Sequence, residues 1–126
     1  MFDELFAQET EVKIVPVYLP DSKKTLYIGS LSAEDYAAWT AMNDGEAEAK
    51  KNAAALLISN SLVQGPDDPD GKMTAEQRTS AEKRIGTREM VAKWRGIRIA
   101  TSERILKAIM KLNGINQPEV EKAKNS

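Results

Sequence analysis

Apolar residues recur along the chain at helical spacing, in strict alternation, or in unbroken runs, and each pattern predicts a different element. Phe2, Leu5 and Phe6 stand at helical spacing with Asp3 and Glu4 between them, which predicts a short helix over residues 1–9. A helix this short is marginal alone and must dock on something to persist. The first expectation is that it covers the domain's own core, and the alternative is a detachable arm that binds a neighbouring subunit. From Glu11 to Leu19, EVKIVPVYL, the pattern becomes alternation, with Val12 and Ile14 on one face. Pro16 cannot donate to a ladder, so this strand belongs at an edge or carries a bulge. After the turn at Pro20–Lys24, Leu26 and Ile28 alternate with Tyr27, completing a β-hairpin over residues 11–31. A lone hairpin is unstable in water and must pack on a helix or gain strands from another chain.

From Ser32 onward the period is helical. Ser32 is a good N-cap, Glu34 and Asp35 suit the positive end of the helix, and Tyr36, Trp39 and Met42 form a core-facing stripe. Asn43-Asp44-Gly45 interrupts the helix and Glu46 restarts it, with Lys50 four residues on as a favourable ion partner. Ala53 to Val63 is apolar on nearly every side, which predicts the central, most buried helix. It stops at Gln64-Gly-Pro-Asp-Asp-Pro-Asp-Gly71. Thr74 and Gln77 form a capping box that opens a mostly polar helix through Ile85, broken at Gly86. Thr87 can cap the next helix, carrying Met90, Val91, Trp94, Ile97 and Ile99 and weakened at Gly96. Thr101 or Ser102 caps a last helix with Ile105, Leu106, Ile109, Met110 and Leu112 on its apolar face, closed by Asn113-Gly114. Residues 115–126 are polar and are expected to form a mobile tail. The fold class is α+β and predominantly helical: one domain over residues 1–114, with the N-terminal hairpin packed on four to five helices.

Composition narrows the chemistry. A chain of 126 residues suits one domain and can bury roughly two-thirds of its unfolded surface. It contains no Cys and no His, which excludes disulfides, thiolate chemistry and thiolate zinc sites, and removes the commonest general base and metal ligand. The apolar runs fall far short of the ~20 residues of a membrane helix. Met1-Phe-Asp-Glu opens with acids rather than the basic start of a signal peptide, so an intracellular protein is expected. The net charge of −1 conceals a division: residues 1–77 carry 14 acidic against 6 basic residues, and residues 78–111 carry 10 basic against 3 acidic. Such halves can face each other, sit solvated, meet head to tail between copies, or present a basic face to nucleic acid or an acidic partner.

No catalytic constellation emerges. The acidic residues cluster in turns and first helical turns, and no nucleophile elbow, P-loop or dinucleotide fingerprint occurs. No enzyme activity and no cofactor are expected. The Asp-rich loop fails as a calcium site, because Pro66 and Pro69 interrupt the ligand ladder and no Glu stands at its twelfth position. Its aspartates are better turn formers, so no metal is expected. Arg88, Lys93, Arg95, Arg98, Arg104, Lys107 and Lys111 surround Trp94 and allow an alternative reading: a small basic-faced nucleic-acid-binding or regulatory helical protein.

The order of elements carries a resemblance. A hairpin ending in LYIGSLSAEDYAAW, an apolar helix ending in LISNSLV, then DPDGKMTAEQ and a last helix ending in LNG follow one another over residues 10–114. This layout resembles the tail assembly chaperones of long-tailed, siphovirus-type bacteriophages and prophages. The extra Gln64-Gly-Pro-Asp67 before Asp68-Pro-Asp-Gly71 departs from the shorter loop of that pattern. The resemblance implies a non-enzymatic helical protein of the host cytoplasm. Such a protein binds the tape-measure protein, recruits tail tube protein, self-associates and is absent from the mature virion. It also implies a longer form made by ribosomal frameshifting. A chaperone for a long helical client needs exposed apolar strips, and Phe2, Leu5, Phe6, Met90, Trp94 and Ile97 are the residues expected to contact client or other copies.

Overall fold

The alternating stretch becomes β1 (Ile14–Leu19) and β2 (Lys24–Gly29), seen in a computed structural model that describes residues 2–66 and 73–115, apart from the side chains of Glu48, Lys50 and Lys51. The expected Glu46–Lys50 pair, the aspartates of the loop and the tail beyond Ile115 therefore lie outside the described residues. Antiparallel register sets Pro16 opposite Tyr27. The Ser30 N–H donates to the Lys13 carbonyl at 2.8 Å, and alternation from that bonded pair places position 16 where an N–H would point off the sheet. Proline costs no ladder bond there, and β1 is indeed an edge strand.

The hairpin gains a third strand from an unexpected source. Leu62 and Val63, the end of the expected central helix, leave helical geometry and pair antiparallel with Ile28 and Tyr27 as β3 (Leu62–Val63). The chain then returns beside β3. Val63 forms a bridge with Arg84, the Gln64 N–H donates to Lys83 at 2.9 Å, and the Ile85 N–H donates to Leu62 at 3.2 Å. The helix expected from Thr74 to Ile85 accordingly ends early, as α4 (Ala75–Ala81), because residues 83–85 are extended against β3. Its start is as expected: the Thr74 hydroxyl accepts from the Gln77 N–H and the Gln77 side chain accepts from the Thr74 N–H.

The remaining helices enclose the inner face of this sheet. α2 (Ala33–Asn43) begins with Ser32 and Asp35 in a reciprocal cap, and α3 (Ala47–Ser61) follows the break at Asp44-Gly45. α5 (Met90–Arg95) packs along α3, and α6 (Ile99–Asn113) packs on α3 and β1. Two caps differ from expectation. Thr87 does not cap α5, whose first turn is preceded by a helical Glu89; its carbonyl instead accepts from the Ser59 hydroxyl at 2.9 Å. α6 begins two residues before Thr101, after an extended Arg98, so Thr101 and Ser102 lie inside it. Its end is as expected: Gly114 takes the left-handed conformation at φ 68°, which costs least for glycine.

Val17 and Ile28 from the sheet, Trp39 from α2, Leu57 and Ile58 from α3, and Ile105, Ile109 and Met110 from α6 close into one core. Burying each large side chain of this kind contributes about 1.5–3 kcal/mol. α3 is the central helix, with Leu57 and Ile58 almost fully enclosed. Of the aromatic stripe on α2, only Trp39 is buried, whereas Tyr36 is exposed, its ring tilted against that of Trp39 with centroids 5.8 Å apart. Two threads stitch the layers. Asn113 accepts from the Leu31 N–H at 2.8 Å and donates to Ile109, tying α6 to the exit of β2. Arg84 reaches three carbonyls, those of Gly29, Ser30 and Ser61. Burial lowers the pKa of its guanidinium, and the charges of Asp35 and Glu82 oppose that shift.

Candidate partner-binding surface

The first helix, α1 (Phe2–Glu9), stands away from everything just described. None of its residues is buried, and Phe2, Leu5 and Phe6 are 65%, 46% and 60% exposed. The expectation that it covers the domain's own core is therefore corrected: its apolar face stays outside. The two phenyl rings lie 6.3 Å apart and shield one another only in part. Leaving such a face in water forgoes a few kcal/mol of burial that a partner can supply.

The base of this arm is fixed. Arg78 on α4 pairs with Glu11 at 2.6 Å, donates to the Val12 carbonyl at 3.2 Å, and is itself held by Glu82 at 3.0 Å. Val12 also lies against Gly29, where a β-carbon would come within 2.7 Å of it. A well-anchored root and an uncovered tip make α1 a projecting probe.

The other expected contact residues are placed differently. Trp94 and Ile97 pack against the core cluster, and Met90 is half-buried. α1 makes no substantial contact with α5, so the six residues form two groups and not one surface. The apolar spacing of the second group is mostly consumed by the domain itself. The Trp94 indole N–H is buried with no partner, a polar cost accepted for the packing of its ring.

The basic residues also divide. Arg84, although itself exposed, has its guanidinium engaged by three carbonyls as a clamp, a role hidden in the sequence because it reads as one more member of a cationic run. Arg88, Lys93, Arg95, Arg98, Arg104, Lys107 and Lys111 are exposed. Among them Arg95 donates to Asn52 at 3.1 Å and Arg98 pairs with Asp21 at 3.4 Å. The Glu11–Arg78 and Asp21–Arg98 pairs show acidic and basic halves meeting, although exposed pairs of this type add little stability. Trp94 packs inward, so it is no stacking platform among the cations.

Two shallow clefts lie among the described residues. One, of about 160 Å³, lies between the hairpin turn, Leu19 to Ser22 with Asp21 among them, and the start of α6, where Arg98, Thr101 and Arg104 face it. The other, of about 330 Å³, lies between the start of α2 and the end of α6, beside Tyr36 and Ile115. No group of three metal-ligating side chains occurs among the described residues. No described helix is long and apolar enough to cross a membrane. Compared with protein-family models, curated proteins and solved structures, the chain matches none.

Proposed function

We propose that this chain is a non-enzymatic binding protein of the tail-assembly-chaperone type, which holds a long helical tape-measure protein before the tail tube assembles around it. The observation that carries the reading is the apolar face of α1, Phe2, Leu5 and Phe6, exposed on an anchored helix. A short amphipathic helix recognises another apolar helix by side-chain packing and tolerates variation along it, which suits a client of repeated helical segments. The resemblance in element order over residues 10–114 supplies the identity of that client. It also suggests recruitment of tail tube protein and a place of action in the bacterial host cytoplasm, outside the finished virion.

The test is co-expression with the tape-measure protein of the same phage or prophage. The wild-type chain is expected to keep that client in the soluble fraction, and Phe2→Ser/Leu5→Ser/Phe6→Ser to lose it while keeping the wild-type circular dichroism spectrum. Retention of client by a folded triple variant would remove the arm from the mechanism. The basic-faced alternative rests on the exposed cations of α5 and α6, and a gel shift with duplex DNA at low salt decides it, because a cationic face binds phosphate nonspecifically there.

A further inference from the structure

The hairpin has a second face, and half of it is uncovered. Strand alternation turns Val15, Val17 and Leu19 toward the core and sets Ile14, Pro16 and Tyr18 on the opposite side. Register places Tyr27 beside Pro16 and Thr25 beside Tyr18 on that outer side. Near the arm root and β3 this face is closed: a β-carbon on Gly29 would meet Val12, Val63 and Arg84, and one on Gly65 would meet the Tyr27 ring. Near the hairpin turn it is open. Tyr18 is 54% exposed, Pro16 and Thr25 are exposed, and Ile14 and Tyr27 are half-buried. None of these five side chains carries a charge.

The spacing and chemistry of this patch select its occupant. From Ile14 to Tyr18 the strand runs about 13 Å, a little over two turns of an α-helix. A further strand is unsuited to this edge, because Pro16 presents no N–H at the middle of the outward positions 14, 16 and 18. Side chains must make the contact instead of backbone, and a helix with an apolar stripe supplies them. The two tyrosines offer broad apolar rings at low entropic cost, with hydroxyls left at the rim. The patch is also continuous with the arm: only Thr10 to Lys13 separate α1 from Ile14, at most about 18 Å of chain. Charge narrows the occupant further. Asp3, Glu4 and Glu9 are exposed on α1, which carries no cation. Glu9 stands in its last turn, where the helix dipole disfavours an acid, and no cation among the described residues pairs with it. The complementary surface is an apolar stripe flanked by Lys or Arg.

We infer that the outer face of the hairpin, centred on Tyr18, is the second half of the client site. One amphipathic helix of the client, with a basic flank at its arm end, lies across α1 and this face. The inference rests on the client reading of α1 and extends it to a surface that the arm does not include.

Photo-crosslinking during co-expression with the tape-measure protein tests it. A benzophenone side chain at position 18 should capture the same client segment as one at position 6, the two adducts mapping within about 25 residues of each other. The same group at Lys107, exposed on α6, should capture none. Tyr18→Thr keeps a strand former at an exposed position, so its thermal melt should match wild type. Loss of the tyrosine anchor should weaken client capture at least about tenfold, and Glu9→Lys should weaken it roughly threefold. The outcomes separate the two readings. Suppose the wild-type chain holds the client and Phe2→Ser/Leu5→Ser/Phe6→Ser loses it. Then a missing client adduct at position 18, or full capture by Tyr18→Thr, overturns the hairpin inference and leaves the client reading standing. Adducts on distant client segments overturn the shared helix, and full capture by Glu9→Lys overturns its basic flank. If neither position gives a client adduct, the client reading fails and the inference falls with it.

Discussion

Gly86 should be among the least replaceable residues of the chain. A β-carbon built there would fall 1.7 Å from the Ser59 carbonyl oxygen, and that oxygen belongs to the rigid backbone of the central helix. Gly86→Ala must therefore lift the strap of residues 84–88 away from α3. Two interactions depend on that closeness: the Ser59 hydroxyl to Thr87 at 2.9 Å and the Ile85 N–H to Leu62 at 3.2 Å. Losing each costs about 1 kcal/mol, and overpacking adds about 1–3 kcal/mol. The sum is about 3–5 kcal/mol, a large share of the roughly 5–15 kcal/mol of a typical domain. Urea unfolding followed by tryptophan fluorescence measures it, and the melting temperature should fall by about 10 °C or more. Gly96→Ala is the matched control: its nearest foreign atom is at 3.5 Å, so the change should stay within about 0.5 kcal/mol. Equal stabilities for the two variants would refute the close contact between strap and helix on which the placement of α5 depends.

Other substitutions probe separate joints. Arg84→Met should cost about 2–3 kcal/mol in urea unfolding, because three carbonyls lose a charged donor while the aliphatic stem is kept. Trp94→Phe should cost less than about 1 kcal/mol, since it also removes a buried N–H that has no partner. Thr74→Ala should cost about 1 kcal/mol through loss of the reciprocal cap. Ile109→Ala, at the centre of the core and fully buried, should cost about 3–4 kcal/mol.

What could be read in the sequence was local. The caps at Ser32 and Thr74, the stop at Asn113-Gly114, the hairpin and the edge position of Pro16 each follow from chemistry within a few residues. Leu62 and Val63 illustrate the limit. An apolar run suits a buried helix or a buried strand equally well, and only the distant partners Tyr27, Ile28 and Arg84 decide for a strand. Arg84 was hidden for the same reason: its three carbonyl partners lie 23 to 55 residues away. At the candidate surface, apolar spacing picked out both α1 and α5 but could not tell an exposed stripe from a packed one. Phe2 and Phe6 are outside while Trp94 and Ile97 lie against the core, and that difference depends on tertiary contacts that spacing does not encode.

The central claim, that α1 touches the client, is tested most directly by site-specific photo-crosslinking. A benzophenone side chain at position 6, introduced during co-expression with the tape-measure protein, is expected to give a covalent adduct with that client. The same group at Glu76, exposed on α4, should give none. An adduct from position 76 alone, or no client adduct from position 6 in a folded chain, would contradict the account.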